Sequence, residues 1–494
     1  MNEHHLIRGA RVVVQLALVM SAAAAGASLV PFELLRSIAD ALAPDGDAAT
    51  VDRSLHAALV AYARATAIAA VVIVAPLLAG QPAIARRFPK RGAEYAPVLA
   101  WTLVFAAVLA AVNLSYLDRE VLDESTYVIM GSHVLDGHLP YLELFALKPP
   151  GIYLALAAVM SVFGENVLAV RFFGVVCLLV AAVSGYAIAV RRTTPLVAGA
   201  SMAIFCALTA VPEFQGMPTQ YLTLAAIMPA CWLLVARRDR LWAAFLIGFL
   251  LSVATLTRTN IGFVALAVGL FFLWRYAAPR ADVPRPAMFV YALGGAVPLA
   301  PLLLAYWLAD GLEILMLAVL GIPLHYATSQ LGIPGALLQH VDNWLAFVRE
   351  MPYIFLPATL FIGSGLAGPA LCRVRPSLCG NGGLLLLVLG AVSMSILNGQ
   401  AFAGHLLQVL PLTMLLAGMG FATLLRRRAA TTLLLGLYVA LVGASLVRSG
   451  ASAFGEAAPA RSSLAAIRDA AAAISADRCC GELVYAPHEH LVYW

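Results

Sequence analysis

The residues able to do chemistry crowd into one stretch of this 494-residue chain, 118–148. It reads DREVLDESTYVIMGSHVLDGHLPYLELFALK and holds Asp118, Glu120, Asp123, Glu124, Asp136 and Glu143 beside His133 and His138. It ends on Lys148, one of two lysines among 31 basic residues, directly before Pro149 and Pro150, which can start a helix but not continue one. A carboxylate at a membrane surface can take a proton from a hydroxyl, and a lone ammonium there is placed to meet a lipid phosphate. Taken alone, Lys148 also fits an interfacial lysine that only snorkels. The spacing predicts a helix from Asp123 to Leu135 with Asp123 and Tyr127 on one face at i, i+4, ended by the turn Asp136-Gly137.

The elements that must position these groups are membrane helices. With 62% hydrophobic and only 12% charged residues, the composition excludes a water-soluble fold, which carries roughly 25% charged residues. Nucleic acid is excluded as a partner, because the net charge of +5 reports topology instead. Apolar runs near 12–32, 56–79, 97–117, 167–190, 195–211, 218–235, 241–256, 261–275, 288–309, 351–371, 384–398, 405–424 and 430–447 predict about 13 spans, several of them short. With a cytoplasmic N-terminus, 19 of the 31 basic residues fall in inside loops, among them Arg191, Arg192, the RRDR run at 237–240 and the RRR run at 426–428. The apolar segment 149–163 would invert every later loop if it crossed, so a helix dipping into the outer leaflet is expected there. The expected organisation is a membrane domain over 1–447 and an extracytoplasmic tail over 448–494, too small for a core of its own. The seven cysteines lack any zinc-type spacing.

The ordered set Asp123-Glu124-x-x-Tyr127, Leu135-x-Gly137-x-x-Pro140-Tyr141, Lys148-Pro149-Pro150-Gly151-x-Tyr153, Phe163-Gly164 and Arg171 resembles the first outer loop of the GT-C glycosyltransferases. Within these it is most similar to the family related to protein O-mannosyltransferases and aminoarabinose transferases. A weaker echo is Gly399-Gln-Ala-Phe-Ala-Gly404-His405 with Pro411. The resemblance implies an all-α polytopic GT-C-like bundle with a helical first outer loop. It implies a sugar donor carried on polyprenyl phosphate, transfer on the non-cytoplasmic face, and Asp123 as catalytic residue. Two positions depart from the family pattern. Pro218-Thr219-Gln220 stands where relatives often have an acidic residue, leaving Gln220 or the nearby Glu213 to replace it, and Leu147 stands before Lys148 where some relatives have a carboxylate. No metal or other cofactor is therefore predicted, and dependence on a divalent metal is left open.

In such a reaction the leaving phosphate is already a stable anion, whereas the acceptor hydroxyl must lose a proton as it attacks. One carboxylate base and one or two cations suffice. Asp123 is the expected base; Glu124, which points elsewhere if 123–135 is helical, is expected in an orienting role. Lys148 is the expected phosphate cation, and Arg258, in the short turn Thr257-Arg258-Thr259-Asn260, is the best second one. Tyr127 and Tyr141 either stack on a sugar or pack beneath the loop, and His405 either binds substrate or serves as a hydrogen-bonded interfacial histidine. The expected partners are the polyprenyl-phosphate sugar, membrane lipid and a hydroxyl-bearing acceptor that is protein, lipid or cell-envelope glycan. A large excess of Arg over Lys together with abundant Ala points to a GC-rich bacterial genome, and the expected location is then the bacterial inner membrane. A secondary transporter remains an alternative, although such proteins place ionisable sites near the bilayer midplane. A non-catalytic sugar-lipid binder, which needs Lys148 but not Asp123, is the other.

Overall fold

The computed structural model describes residues 96–114, 122–146, 148–165, 167–209, 217–278, 282–323, 388–392 and 407–425, together with positions 335, 341, 342 and 345. Among these, no strand occurs. Helix α1 spans Ala96–Leu114, α2 Leu122–Leu135, α3 Gly151–Phe163, α4 Val167–Ala189, α5 Pro195–Leu208 and α6 Thr219–Ala236. Then come α7 (Leu241–Thr257), a 3-10 turn at Thr259–Ile261, α8 (Gly262–Ala277), α9 (Ala287–Leu308), α10 (Leu312–Met316) with a π turn at Leu317–Gly321, and α11 (Leu410–Leu425). The runs expected at 97–117, 167–190, 195–211, 218–235, 241–256, 261–275, 288–309 and 405–424 each hold one of these helices, with ends shifted by up to five residues. The runs at 12–32, 56–79, 351–371 and 430–447 and the tail 448–494 lie outside the described residues, and 384–398 is described only at 388–392, which is helical.

By length and composition, four of the described helical segments are long and apolar enough to cross a bilayer: Val167–Ala189, Thr219–Ala236, Thr259–Ala277 and Ala287–Leu308. Their outward faces are apolar as well. Leu266, Leu270 and Trp274 of α8 and Phe289, Leu293, Leu304 and Trp307 of α9 are all exposed, an arrangement that suits lipid and not water. The chain is a multi-pass membrane protein. Helix α3 has 13 residues and is therefore about 20 Å long, well short of the roughly 30 Å hydrocarbon core.

The interior is built by helices adjacent or next but one in sequence, α4 packing on α6, α6 on α7 and α7 on α9, while α2 lies on α3 and α3 in turn on α4 and on the more distant α7. Tyr127, Tyr153, Tyr186, Tyr221 and Phe205 are almost fully buried in this core. The up-and-down course sends the arginine-rich turns to one end. There Arg238 and Arg275 share Asp282, at 3.0 and 2.7 Å, and the Arg275 guanidinium lies 4.9 Å over the ring of Trp274. Asp123, Lys148, Thr219 and Arg258 stand at the opposite end.

Candidate functional site

Helix α2 begins with Asp123 and Glu124 in its first turn, where the positive end of the helix dipole favours carboxylates. Because the two are adjacent on a helix, they point apart. Asp123 stays 69% exposed, whereas Glu124 is buried at 3%. The two share the helix face expected from their i, i+4 spacing, and the Tyr127 hydroxyl donates to Asp123 Oδ2 at 3.0 Å. Burial and the Asp123 carboxylate hold Tyr127 well above the ordinary phenol range, so Tyr127 keeps its proton and serves as a donor to Asp123.

Lys148 arrives beside the same oxygen, its Nζ 4.0 Å from Asp123 Oδ2. The segment 140–153 is held by tyrosines. The Tyr141 hydroxyl donates to the Lys148 carbonyl at 2.5 Å, and the Lys148 N–H donates to the Tyr153 hydroxyl at 3.3 Å. The Tyr306 hydroxyl, from the end of α9, donates to the Pro140 carbonyl at 2.6 Å. Tyr141 adopts φ +72°, a left-handed conformation that costs a non-glycine residue about 1–3 kcal/mol, and its N–H closes a turn on the Leu144 carbonyl at 3.0 Å.

Gly151 explains how Lys148 reaches α7. A Cβ at Gly151 would stand 2.6 Å from the Leu256 carbonyl oxygen and 3.0 Å from the Thr257 nitrogen, so the start of α3 touches the last turn of α7 backbone to backbone. The residue after that turn is Arg258, which is buried and close enough for its charge to act on Lys148, Asp123 and Tyr127. Its Nη1 donates to Thr219 Oγ1 at 3.4 Å, and Thr219 Oγ1 donates to Gln220 Oε1 at 3.3 Å. Gly151→Ala should cost about 1–3 kcal/mol through overpacking and push Lys148 away from Arg258. The expected result is a lower melting temperature together with weaker binding of a phosphorylated lipid, read by thermal unfolding and direct binding on the same preparation.

Burial and the neighbouring Arg258 lower the Lys148 ammonium from its ordinary range, with Asp123 opposing them. The sign follows directly. An anion bound by Lys148 is held fully below that lowered pKa and loses affinity as the pH rises through it, earlier than at an ordinary lysine. Removing the Asp123 charge should move this alkaline midpoint lower still, which a pH series of dissociation constants would measure.

Glu124 turns into the bundle and meets Arg171 of α4. Arg171 Nη2 donates to Glu124 Oε2 at 2.8 Å and Nε donates to both carboxylate oxygens, at 3.1 and 3.2 Å. Burial pushes the Glu124 carboxyl up, and Arg171 and the Met217 backbone N–H pull it back. The pair ties the start of α2 to α4 and leaves Glu124 without access to a substrate.

The structure thus brings Asp123, Tyr127, Lys148 and Arg258 together and joins Gln220 to them through Thr219. The rings of Tyr127 and Tyr141 lie beneath the loop, 2% and 4% exposed. Glu213 and His405 lie outside the described residues. Sequence reasoning did not name Thr219 or Tyr306 as parts of the site, and it gave Arg171 no partner. For Arg171 a signal existed, since a charge within an apolar span-length run calls for one.

Residues 147–307 match the family model of dolichyl-phosphate-mannose-protein mannosyltransferase. The resemblance drawn from residues 123–171 is borne out by this match to a GT-C-type family. The mannosyltransferase match takes in Lys148, Gly151, Arg171, Gln220 and Arg258 and begins after Asp123 and Glu124. Comparison with the curated proteins returns no match.

Proposed function

We propose that this protein is a membrane glycosyltransferase that moves a sugar from a polyprenyl-phosphate donor to an acceptor hydroxyl on the extracytoplasmic face of a bacterial inner membrane. The observation that carries the reading is one exposed carboxylate, Asp123, with Lys148 at 4.0 Å and Arg258 close by. That is the charge pattern needed by a hydroxyl that must be deprotonated beside a phosphate that must leave.

In the reaction, the acceptor oxygen attacks the anomeric carbon as its proton passes to Asp123. The bond from that carbon to the phosphate oxygen breaks, and polyprenyl phosphate departs as an anion held by Lys148 and Arg258. The N-terminus of α3, which opens three residues after Lys148, adds the positive end of a helix dipole on the phosphate side. Tyr127 fixes Asp123 Oδ2, leaving Oδ1 for the acceptor. Glu124 acts through Arg171 as a positioning residue. The acceptor hydroxyl belongs to a protein, a lipid or an envelope glycan. The arginine-rich end of the bundle faces the cytoplasm, in keeping with the excess of positive charge in cytoplasmic loops.

The deciding experiment is transfer from radiolabelled polyprenyl-phosphate sugars to endogenous acceptors in proteoliposomes. Labelled product is expected from the unaltered chain. Lys148→Ala should weaken donor binding roughly ten- to a hundredfold, the worth of a charge-assisted hydrogen bond of about 1.5–3 kcal/mol. Sugar flux across sealed vesicles without any labelled product would favour a transporter instead.

A further inference from the structure

We infer that His133, His138 and Glu143 form a binding site for a divalent, zinc-type metal ion on the outer surface of the 118–148 segment. The ligand-capable atoms of the three side chains all lie within 4.8 Å of one another. Glu143 Oε1 stands 2.9 Å from His138 Nδ1, and Glu143 Oε2 stands 3.5 Å from His133 Nε2. His133 Nε2 is shielded from solvent and has no hydrogen-bond partner among the described residues.

The local fold creates the arrangement. Helix α2 ends in a cap in which the His138 N–H donates to the His133 carbonyl at 3.2 Å and the Gly137 N–H donates to the Val134 carbonyl at 3.1 Å. Gly137 supplies the left-handed turn, with φ +92°. In this motif the residues at the His133 and His138 positions normally make an apolar contact that seals the helix end. Here the contact is two parallel imidazole rings, their centroids 4.3 Å apart and their planes 7° from coincidence. Both rings turn a nitrogen toward one carboxylate.

Two imidazoles and one carboxylate are a ligand set that zinc accepts with a fourth position left for water. Tetrahedral zinc with bonds of about 2.1 Å holds its ligand atoms about 3.4 Å apart. The present separations need only side-chain adjustment at an exposed turn to reach that. Ten residues of helix separate His133 from Asp123, about 15 Å at the helical rise, so the ion takes no part in the transfer site. It fastens the turn that carries Tyr141 to the end of α2. The inference stands apart from the transferase reading and goes beyond the expectation from the sequence, which predicts no metal site and leaves a divalent metal open.

The test uses the full chain in detergent, purified through a tag without histidine, stripped with chelator and offered Zn²⁺ or Co²⁺ alone. The unaltered chain should retain one equivalent more metal than the His133→Ala/His138→Ala variant, a difference that cancels any binding by histidines elsewhere. Glu143→Gln, at a 58% exposed position, should weaken the affinity at least about tenfold, while its metal-free melting temperature stays that of the unaltered chain. Asp123→Asn should retain the full equivalent. Equal metal content in the unaltered chain, the double histidine variant and Glu143→Gln overturns the inference, as does loss of the equivalent in Asp123→Asn.

Discussion

Asp123→Asn should lower turnover by about 10²- to 10⁴-fold, the range for removing a general base, while donor affinity near neutral pH changes only a few-fold. The substitution is nearly isosteric, so the amide oxygen can still accept from the Tyr127 hydroxyl that now reaches Asp123 Oδ2 at 3.0 Å. What disappears is the negative charge that takes the proton. The donor phosphate is held by Lys148 and Arg258, which the substitution leaves in place. Single-turnover transfer and equilibrium donor binding, measured on one preparation, separate the two effects. Full turnover in the variant would sink Asp123 as the base, and equal loss of binding and turnover would assign it to donor recognition.

Glu124→Ala should destabilise the protein by about 3–5 kcal/mol, because it strands the Arg171 guanidinium, only 7% exposed, without a counter-charge. Removing both charges is a different matter. A buried ion pair pays a desolvation penalty that often matches its attraction, so Glu124→Leu/Arg171→Met should recover most of the stability. Melting temperatures in detergent, read beside transfer rates, check both points. Turnover should fall in Glu124→Ala together with the melting temperature and return in part in the double variant. A single variant that melts normally yet transfers nothing would move Glu124 from positioning to chemistry.

Legibility in the sequence followed the range of the contact. The helix expected at 123–135 is observed at Leu122–Leu135, and the apolar run at 167–190 is observed at Val167–Ala189, because periodicity and caps are properties of neighbours along the chain. The shared face of Asp123 and Tyr127, one helical turn apart, was readable for the same reason. Lys148 stood out by its scarcity and its place before two prolines. Glu124 was expected to point away from Asp123, yet nothing local named Arg171, 47 residues on, as what it would meet. The tie from Tyr306 to the Pro140 carbonyl spans 166 residues and left no local trace.

By itself the sequence determined that the chain lives in a membrane and that its reactive groups collect in one segment between helices. Composition and charge bias act residue by residue against lipid and water, whatever the partners. Tertiary structure alone decided that the Leu256 carbonyl lies against Gly151 and so sets Arg258 beside Lys148 and Asp123. It alone decided that Arg171 neutralises Glu124 and leaves Asp123 exposed, and that two histidines stack over one glutamate. Such meetings depend on which helix faces dock. Van der Waals fit and polar satisfaction across the whole bundle set that docking, and no short window of sequence contains it.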